Sequence, residues 1–380
     1  MLRRQSELDR TLDLDRADPR LHDVLRLGAY QLRCLTRVPS HAAVSTSVEL
    51  ARQTVGEGAT GYVNQALRKV ARLGARGSGL GDSHPEWLVR RWVSHFGEPE
   101  TQRLLTWNDT VPTLTLQSAR WDEETLARRL RMAGFGVAPA PFGAGLSVVP
   151  SPESPGPSPA KFPGFSEGAF IVQDPAHALV CRFASIPRGS LVYDACAAPG
   201  GKAVTLEAAG GARVVAGDVR RERLRRLADS TRRAGVAIRC MAADLEAAPV
   251  RTASVDAVLV DAPCTATGTM RRHPDARWRV TPDIFSRAAA RQARLLAAAA
   301  ALVRPGGLLI YATCSLEPEE NAAVVEEFLS QHPSFTRATP PALPERDAVP
   351  VELLTAAGDF QSLPQRHGID GAYAARLRRS

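Results

Sequence analysis

The run Leu191-Val192-Tyr193-Asp194-Ala195-Cys196-Ala197-Ala198-Pro199-Gly200-Gly201-Lys202 decides the reading of this chain. Its first four residues form a short apolar run of the kind that makes a buried strand. Small residues and two glycines follow, and a missing Cβ there lets a ligand lie against bare backbone. The pattern predicts a helix opening near Lys202. Strand, glycine-rich turn and helix together make the entry unit of a nucleotide-binding α/β fold.

Working outward, the pattern repeats. The run Ala212 to Ala216 leads to Gly217-Asp218, an acid at a strand end placed to meet a ribose. Ile238 to Ala243 leads to Asp244, Val255 to Val260 leads to Asp261, and Leu308 to Tyr311 leads to Ala312-Thr313-Cys314-Ser315. Helical patterns separate these runs, so the sheet is predicted to be largely parallel and buried. Ligands of open α/β sheets bind at the carboxyl ends of the strands. Four strand-end aspartates and one strand-end cysteine are therefore expected to converge on one cleft.

Two cysteines narrow the chemistry. Asp261-Ala262-Pro263-Cys264 closes one strand and Thr313-Cys314-Ser315 the next. A thiolate adds well to an electron-poor ring carbon. C6 of a pyrimidine is such a carbon, and addition there makes C5 nucleophilic toward a sulfonium methyl donor. A second group must then help remove the C5 proton so that the thiol can leave. Taken singly, either cysteine is equally well read as a small buried hydrophobe.

Three motifs carry a resemblance. Asp194 to Lys202, Asp261-Ala-Pro-Cys-Thr-Ala-Thr-Gly-Thr269 with Arg271-Arg272-His273-Pro274-Asp275, and Tyr311-Ala-Thr-Cys-Ser-Leu-Glu-Pro-Glu-Glu-Asn321 closely resemble the Sun-type RNA cytosine-5 methyltransferases. The bacterial ribosomal group, RsmB, is the nearest match. The resemblance implies an α/β fold: a Rossmann-like class I catalytic domain dependent on S-adenosylmethionine, behind a helical NusB-like domain and a small α+β RRM-like domain. It implies that Cys314 is the nucleophile and Cys264 the release partner. Asp261 would hydrogen-bond the cytosine ring, and Lys202 would also touch the base. The donor would lie along Cys196, Ala197, Ala198, Pro199, Gly200, Gly201 and Lys202, with Asp218 on the ribose, Asp244 near the adenine and Asp261 between the two ligands.

Composition bounds the answer. The chain has 380 residues, enough for two or three domains, a net charge of +8 and a pI near 9.6. Such a charge is compatible with a nucleic-acid partner. Cys34, Cys181, Cys196, Cys240, Cys264 and Cys314 are scattered without CxxC spacing, so neither a disulfide framework nor a metal site is expected. That suits a reducing cytoplasm. No signal-peptide core or long uncharged apolar run is present, so no membrane partner is expected. A monomer is expected.

Residues 1–76 read as all-helical. Asp18-Pro19 is a helix start. Leu21, Val24, Leu25, Gly28 and Leu32 make one apolar face. Val44, Val48, Ala51 and Val55 make a second, and Val63, Ala66, Leu67 and Val70 a third, closing near Gly74. Arg26 to Leu32, Val38 to Val44 and Gly61 to Arg68 resemble the later helices of the NusB-like RNA-binding domain. Met1 to Asp9 aligns with the interior of that domain, so it is expected to be truncated at its N-terminus.

Residues 77–165 hold the end of a glycine-rich linker (Arg76 to Asp82), the RRM-like domain and a loop rich in Pro, Ser and Gly from Pro150 to Pro163. A helix is predicted from Pro85, with Leu88, Trp92 and Phe96 on one side. Strands are predicted at Thr113 to Gln117 and Leu146 to Pro150, around a helix over Thr125 to Ala133. The family often has Arg-Asn where this chain has Leu116-Gln117. Residues 166–380 form the catalytic domain, with a lead-in at Gly168 to Pro175, a helix from Pro175 to Phe183 and a terminal hairpin whose strand Ala372 to Leu377 completes the sheet.

Basic residues at Arg120, Arg128, Arg129 and Arg131, and over Arg220 to Arg226, read first as solvated helix faces. Arg271-Arg272-His273 and Arg277-Trp278-Arg279 are the stronger candidates for RNA contact, with Trp278 placed to stack on a base or to pack. The expected activity is methylation of cytosine C5 in RNA, 16S rRNA above all. Alternatives are another RNA such as tRNA, DNA cytosine-5 methylation, amino-group methylation, or a non-catalytic RNA-binding or assembly role. The paired cysteines and intact donor motif weigh against the last three.

Overall fold

A computed structural model describes residues 1–14, 17–73, 83–149, 158–208, 211–341, 344 and 348–380. The linker expected over Arg76 to Asp82 and most of the loop from Pro150 lie outside the described residues. Two compact units are present: residues 1–110 with 273–279, and residues 111–272 with 280–380.

The first unit contains α1 (Gln5–Leu12), α2 (His22–Cys34), α3 (Ser40–Thr54), α4 (Thr60–Arg72), α5 (Glu86–Phe96) and α6 (Glu98–Asp109). Asp18 accepts a hydrogen bond from the Arg20 amide at 2.9 Å and Pro19 sits in the first turn, as a helix start requires. The three expected stripes meet in one core, where Leu25, Ala51, Val63 and Leu67 are fully buried. α1 falls in the stretch read as helical but outside the three stripes. It adds Leu8 and Leu12 to that core and is tied to α2 by the Arg26–Asp9 and Arg33–Glu7 ion pairs, at 2.7 and 3.1 Å. Its two apolar positions on a charged octapeptide give too little periodicity to mark a stripe of its own.

The second unit opens with a four-stranded antiparallel sheet, built from β1 (Leu114–Ser118), β2 (Gly136–Pro139), β3 (Leu146–Val149) and β4 (Phe170–Val172) in the order β2-β3-β1-β4. α7 (Glu123–Met132) is capped by Asp122 and packs Leu126 and Leu130 against Leu116, Leu146 and Phe170. β2 and β4 have four and three residues, too short for alternation to register.

The larger sheet carries β5 (Leu191–Asp194), β6 (Arg213–Asp218), β7 (Arg239–Ala242), β8 (Val255–Asp261), β9 (Val303–Thr313), β10 (Phe335–Arg337), β11 (Phe360–Ser362) and β12 (Ala372–Arg379). Its order is β10-β12-β9-β8-β5-β6-β7, with β11 paired to β12. The run β7-β6-β5-β8-β9 is parallel; β12 joins antiparallel to β9.

Side chains alternate between sheet faces with a period of two, and here both faces are apolar. Val192, Ala257, Leu259, Leu308 and Ile310 pack on α8 (Pro175–Ala184) and α9 (Gly201–Ala208). Tyr193, Val258, Val260, Leu309 and Tyr311 pack with the opposite layer, α11 (Ile284–Leu302) and α12 (Ala322–Gln331). α10 (Arg221–Ala234), between β6 and β7, buries only Leu224, Leu227, Thr231 and Ala234. No helix among the described residues is long and apolar enough to cross a membrane.

Candidate active site

Asp194, Asp218 and Asp261 close β5, β6 and β8, and Thr313 closes β9. Register pairs Asp194 with Ala216 and Leu259, and Asp261 with Ala312, so these ends lie along one edge of the sheet. The Ala195 and Ala197 amides donate to Leu259 O and Gly217 O at 2.9 Å, which folds the following turn over that edge. Gly200 sits at φ +105°, and a Cβ there would lie 2.8 Å from Leu227 Cγ. Both constraints favour glycine.

Asp218 is buried and accepts from the Ala198 amide at 3.3 Å and the Arg220 amide at 2.8 Å. Asp244 is exposed and accepts from the Glu246 amide at 3.1 Å. Asp194 is 1 % exposed, and among the described residues neither carboxyl oxygen has a hydrogen-bond partner. Burial, then the charge of Asp261, pushes it up to about 8. An orphaned acid beneath a turn with two glycines is a chemical fit for a cationic ligand bearing an amino group and a nucleoside.

Lys202, 7 % exposed at the start of α9, joins Asp261 Oδ2 and His177 Nδ1, each at 2.7 Å. Burial works to lower its ammonium, but the charge and hydrogen bond of Asp261 outweigh that and hold Lys202 above its ordinary value. His177, on α8, is lowered to about 4 by burial and then by the Lys202 charge. An ammonium only donates, so Nδ1 of the neutral imidazole accepts and its proton sits on Nε2.

The cysteine sulfurs of Cys264 and Cys314 are 3.3 Å apart, and the Cys314 amide donates to Cys264 Sγ at 3.4 Å. The hydrogen bond to Cys314, then burial, raises the Cys264 thiol well above its ordinary value. Buried Glu320 joins their two loops. Its carboxylate accepts from the Thr265 amide and Gln292 Nε2 at 2.9 Å, from Ser315 Oγ at 2.6 Å and from the Thr265 hydroxyl. Thr267 Oγ1 accepts from the Leu316 amide at 2.9 Å, and Gly268 N donates to Cys314 O at 3.0 Å. A Cβ at Gly268 would lie 2.5 Å from Gly371 O, so only glycine fits between these backbones.

The family model for the 16S rRNA methyltransferase RsmB/F matches residues 186–378, the NusB family model matches 2–72, and the RsmF/B-like ferredoxin-like domain model matches 84–148. The chain is 32 % identical to a probable ribosomal RNA small subunit methyltransferase B of Synechocystis, over 100 % of this chain and 89 % of that protein. This chain belongs to the RsmB/F family. It is therefore an RNA methyltransferase of the RsmB/F type, dependent on S-adenosylmethionine. The ribosomal RNA small subunit methyltransferase B of Pasteurella multocida is likewise 32 % identical, covering 94 % of this chain and 80 % of its own. Among solved structures, that of PH0851 aligns with a TM-score of 0.83 at 26 % identity, over 99 % of this chain and 87 % of that one.

In this RsmB/F chain several predicted RNA contacts are structural instead. Arg271 is buried and donates to Val111 O at 2.6 Å. Arg272 bridges Asp174 and Asp370 at 2.5 and 2.7 Å. Arg277 is fully buried against Asp109 at 2.7 Å and Ser83 O at 3.1 Å. Trp278 donates from Nε1 to Leu2 O at 2.9 Å, which is the packing alternative. A basic run reads the same whether its guanidinium groups meet phosphate or buried carboxylates and carbonyls. Lys202, expected to touch the base, joins Asp261 and His177 at the edge of the site. His177 was missed altogether; its sequence signal is a polar residue amid the apolar positions of the first turns of α8.

Proposed function

We propose that this chain methylates C5 of a cytosine in small-subunit ribosomal RNA through a covalent bond between Cys314 and C6. The observation that carries this reading is the pair of strand-end sulfurs 3.3 Å apart beside the Lys202–Asp261 pair. Family membership and the names of the relatives support the ribosomal substrate. Bound along Cys196 to Lys202, S-adenosylmethionine supplies an electrophilic methyl group. Asp194 would face its positive charge, Asp218 its ribose and Asp244 its adenine.

Cys314 Sγ attacks C6 as a thiolate, and Asp261, held by Lys202, supports a proton at N3. The electron pair of the C5–C6 bond then resides at C5, which takes the methyl group. Removal of the C5 proton restores the double bond and expels Cys314 as thiolate. Cys264, 3.3 Å from Cys314, is the proposed acceptor of that proton. Bond formation at C6 uses up the Cys314 sulfur whose hydrogen bond holds the Cys264 thiol up, so ionisation of Cys264 becomes easier at that stage.

We further propose a three-part division of labour: 1–76 and 77–165 hold RNA and 166–380 performs the chemistry, in the cytoplasm where the ribosomal subunit is assembled. The target base would be reached in a loop or by flipping. The test uses Cys314→Ala and Cys264→Ala with ribosomal RNA from a strain lacking the enzyme. Cys314→Ala is expected to lose both 5-methylcytosine, read by bisulfite sequencing, and RNA capture. Cys264→Ala is expected to accumulate a denaturant-resistant protein–RNA adduct. An adduct with Cys314→Ala alone reverses the two roles; full methylation by Cys314→Ala overturns the mechanism.

A further inference from the structure

We propose that His177 is a positioning residue for methyl transfer: its Nδ1 accepts a hydrogen bond from the Lys202 ammonium and so fixes the lysine against Asp261. This rests on the reading of Asp261 and Lys202 just given. Three elements meet here. α8 brings His177, α9 brings Lys202 and β8 brings Asp261. Both contacts of Nζ are 2.7 Å, within the range of charge-assisted hydrogen bonds.

A buried ammonium has three hydrogens to satisfy and is costly when it does not. With one partner, Lys202 could swing about the Asp261 carboxylate and occupy both of its oxygens. With His177 as a second partner, Nζ is held on Oδ2. Among the described residues Oδ1 accepts no hydrogen bond, and the Asp261 side chain is 34 % exposed, so this oxygen is left for the base. α8 itself is held in place: Asp174 caps it through the Ala176 amide at 2.9 Å and also binds Arg272. The imidazole cannot follow a wandering lysine, so the lysine must stay with the imidazole.

The charged and titratable groups facing the imidazole are Lys202, Asp261, Asp174 and Arg272. Protonation would place a second cation against Lys202, and Nδ1 would no longer accept. The contact is therefore a neutral-pH device that fails in acid.

The test compares His177→Leu, which has no acceptor, with His177→Asn, whose Oδ1 can replace Nδ1. Loss of one hydrogen bond to a charged group is expected to lower kcat by roughly tenfold or more in the Leu variant, with donor affinity unchanged. The Asn variant is expected to recover most of the rate and to keep it at a pH where wild-type falls. Equal rates in wild-type and Leu overturn the proposal. So do equal losses in Leu and Asn, which would mark a packing role, and so does a loss of donor binding in Leu. Asp261→Asn and Lys202→Met run beside them. If those two retain full activity, the reading of the site itself falls; if they lose it while His177→Leu does not, only the role of His177 falls.

Discussion

Asp194 and His177 are both driven toward their neutral forms by burial, and their pH signatures are opposite. The Asp194 pKa rises from 3.8 to about 8, so between those values the folded protein holds a proton that the unfolded chain gives up. Its contribution is complete below pH 3.8 and is lost as pH rises through about 8. The His177 pKa falls from 6.5 to about 4, so its contribution is complete above pH 6.5 and is lost as pH falls toward 4. The two oppose each other below pH 6.5, and Asp194 acts alone above it. Asp194→Asn is therefore expected to gain stability relative to wild-type as pH rises from 6.5 to 8 in donor-free protein, and to bind the donor more weakly. Urea midpoints across that range read the first effect; a wild-type-minus-variant difference independent of pH refutes it. Asp194 was legible as a strand end, because apolar runs ending in Asp are local. Its burial was not, since that depends on what β6, β8 and α9 place around it.

At the scale of elements, the two cysteine loops are spaced by Glu320 rather than by their own turns. It lies in a single turn before α12 and reaches across to Thr265, Gln292 and Ser315. Glu320→Ala leaves buried donors without an acceptor, at about 1–3 kcal/mol for each one unsatisfied. The expected outcome is a lower denaturant midpoint and weaker RNA capture by the Cys264→Ala protein, with donor affinity preserved. Wild-type stability in Glu320→Ala would show that the loops hold each other without it. β5 and β8 were readable because each carries a continuous apolar run buried in the middle of the sheet, whereas β10 and β11, of three residues each, carry too little pattern to read. Arg272 and Arg277 were misread, because their partners Asp174, Asp370, Asp109 and Ser83 are 98 to 194 residues away in sequence. No spacing rule reaches that far.

For the molecule as a whole, correcting those arginines moves the expected RNA surface. Arg220, Arg221, Arg225 and Arg226 are exposed around the start of α10, and no ion pair is recorded for them among the described residues. With a net charge of +8, binding of RNA is expected to weaken steeply with salt, with a log–log slope near −0.7 per phosphate contact on single strands. Arg221→Glu with Arg225→Glu is expected to weaken RNA binding and flatten that slope by roughly one to two contacts, leaving donor affinity intact. An unchanged slope would place the phosphate contacts elsewhere on the surface. Charge and pI made an RNA partner plausible from composition, but which arginines remain free is decided only after folding has consumed the others.

The segment His273–Arg279 belongs to the first compact unit although the chain on both sides of it belongs to the second. Considered as inheritance, this makes the gene hard to cut. A single recombination breakpoint at Thr110–Val111 would part Arg277 from Asp109, Asn108 and Ser83, leaving a guanidinium built for burial with no counter-charge. Residues 1–110, transplanted alone, would lack that heptapeptide and expose the groups it satisfies. Shuffling that preserves both partners needs three junctions in register, so the two halves are expected to descend together and to accumulate compensating changes as one lineage.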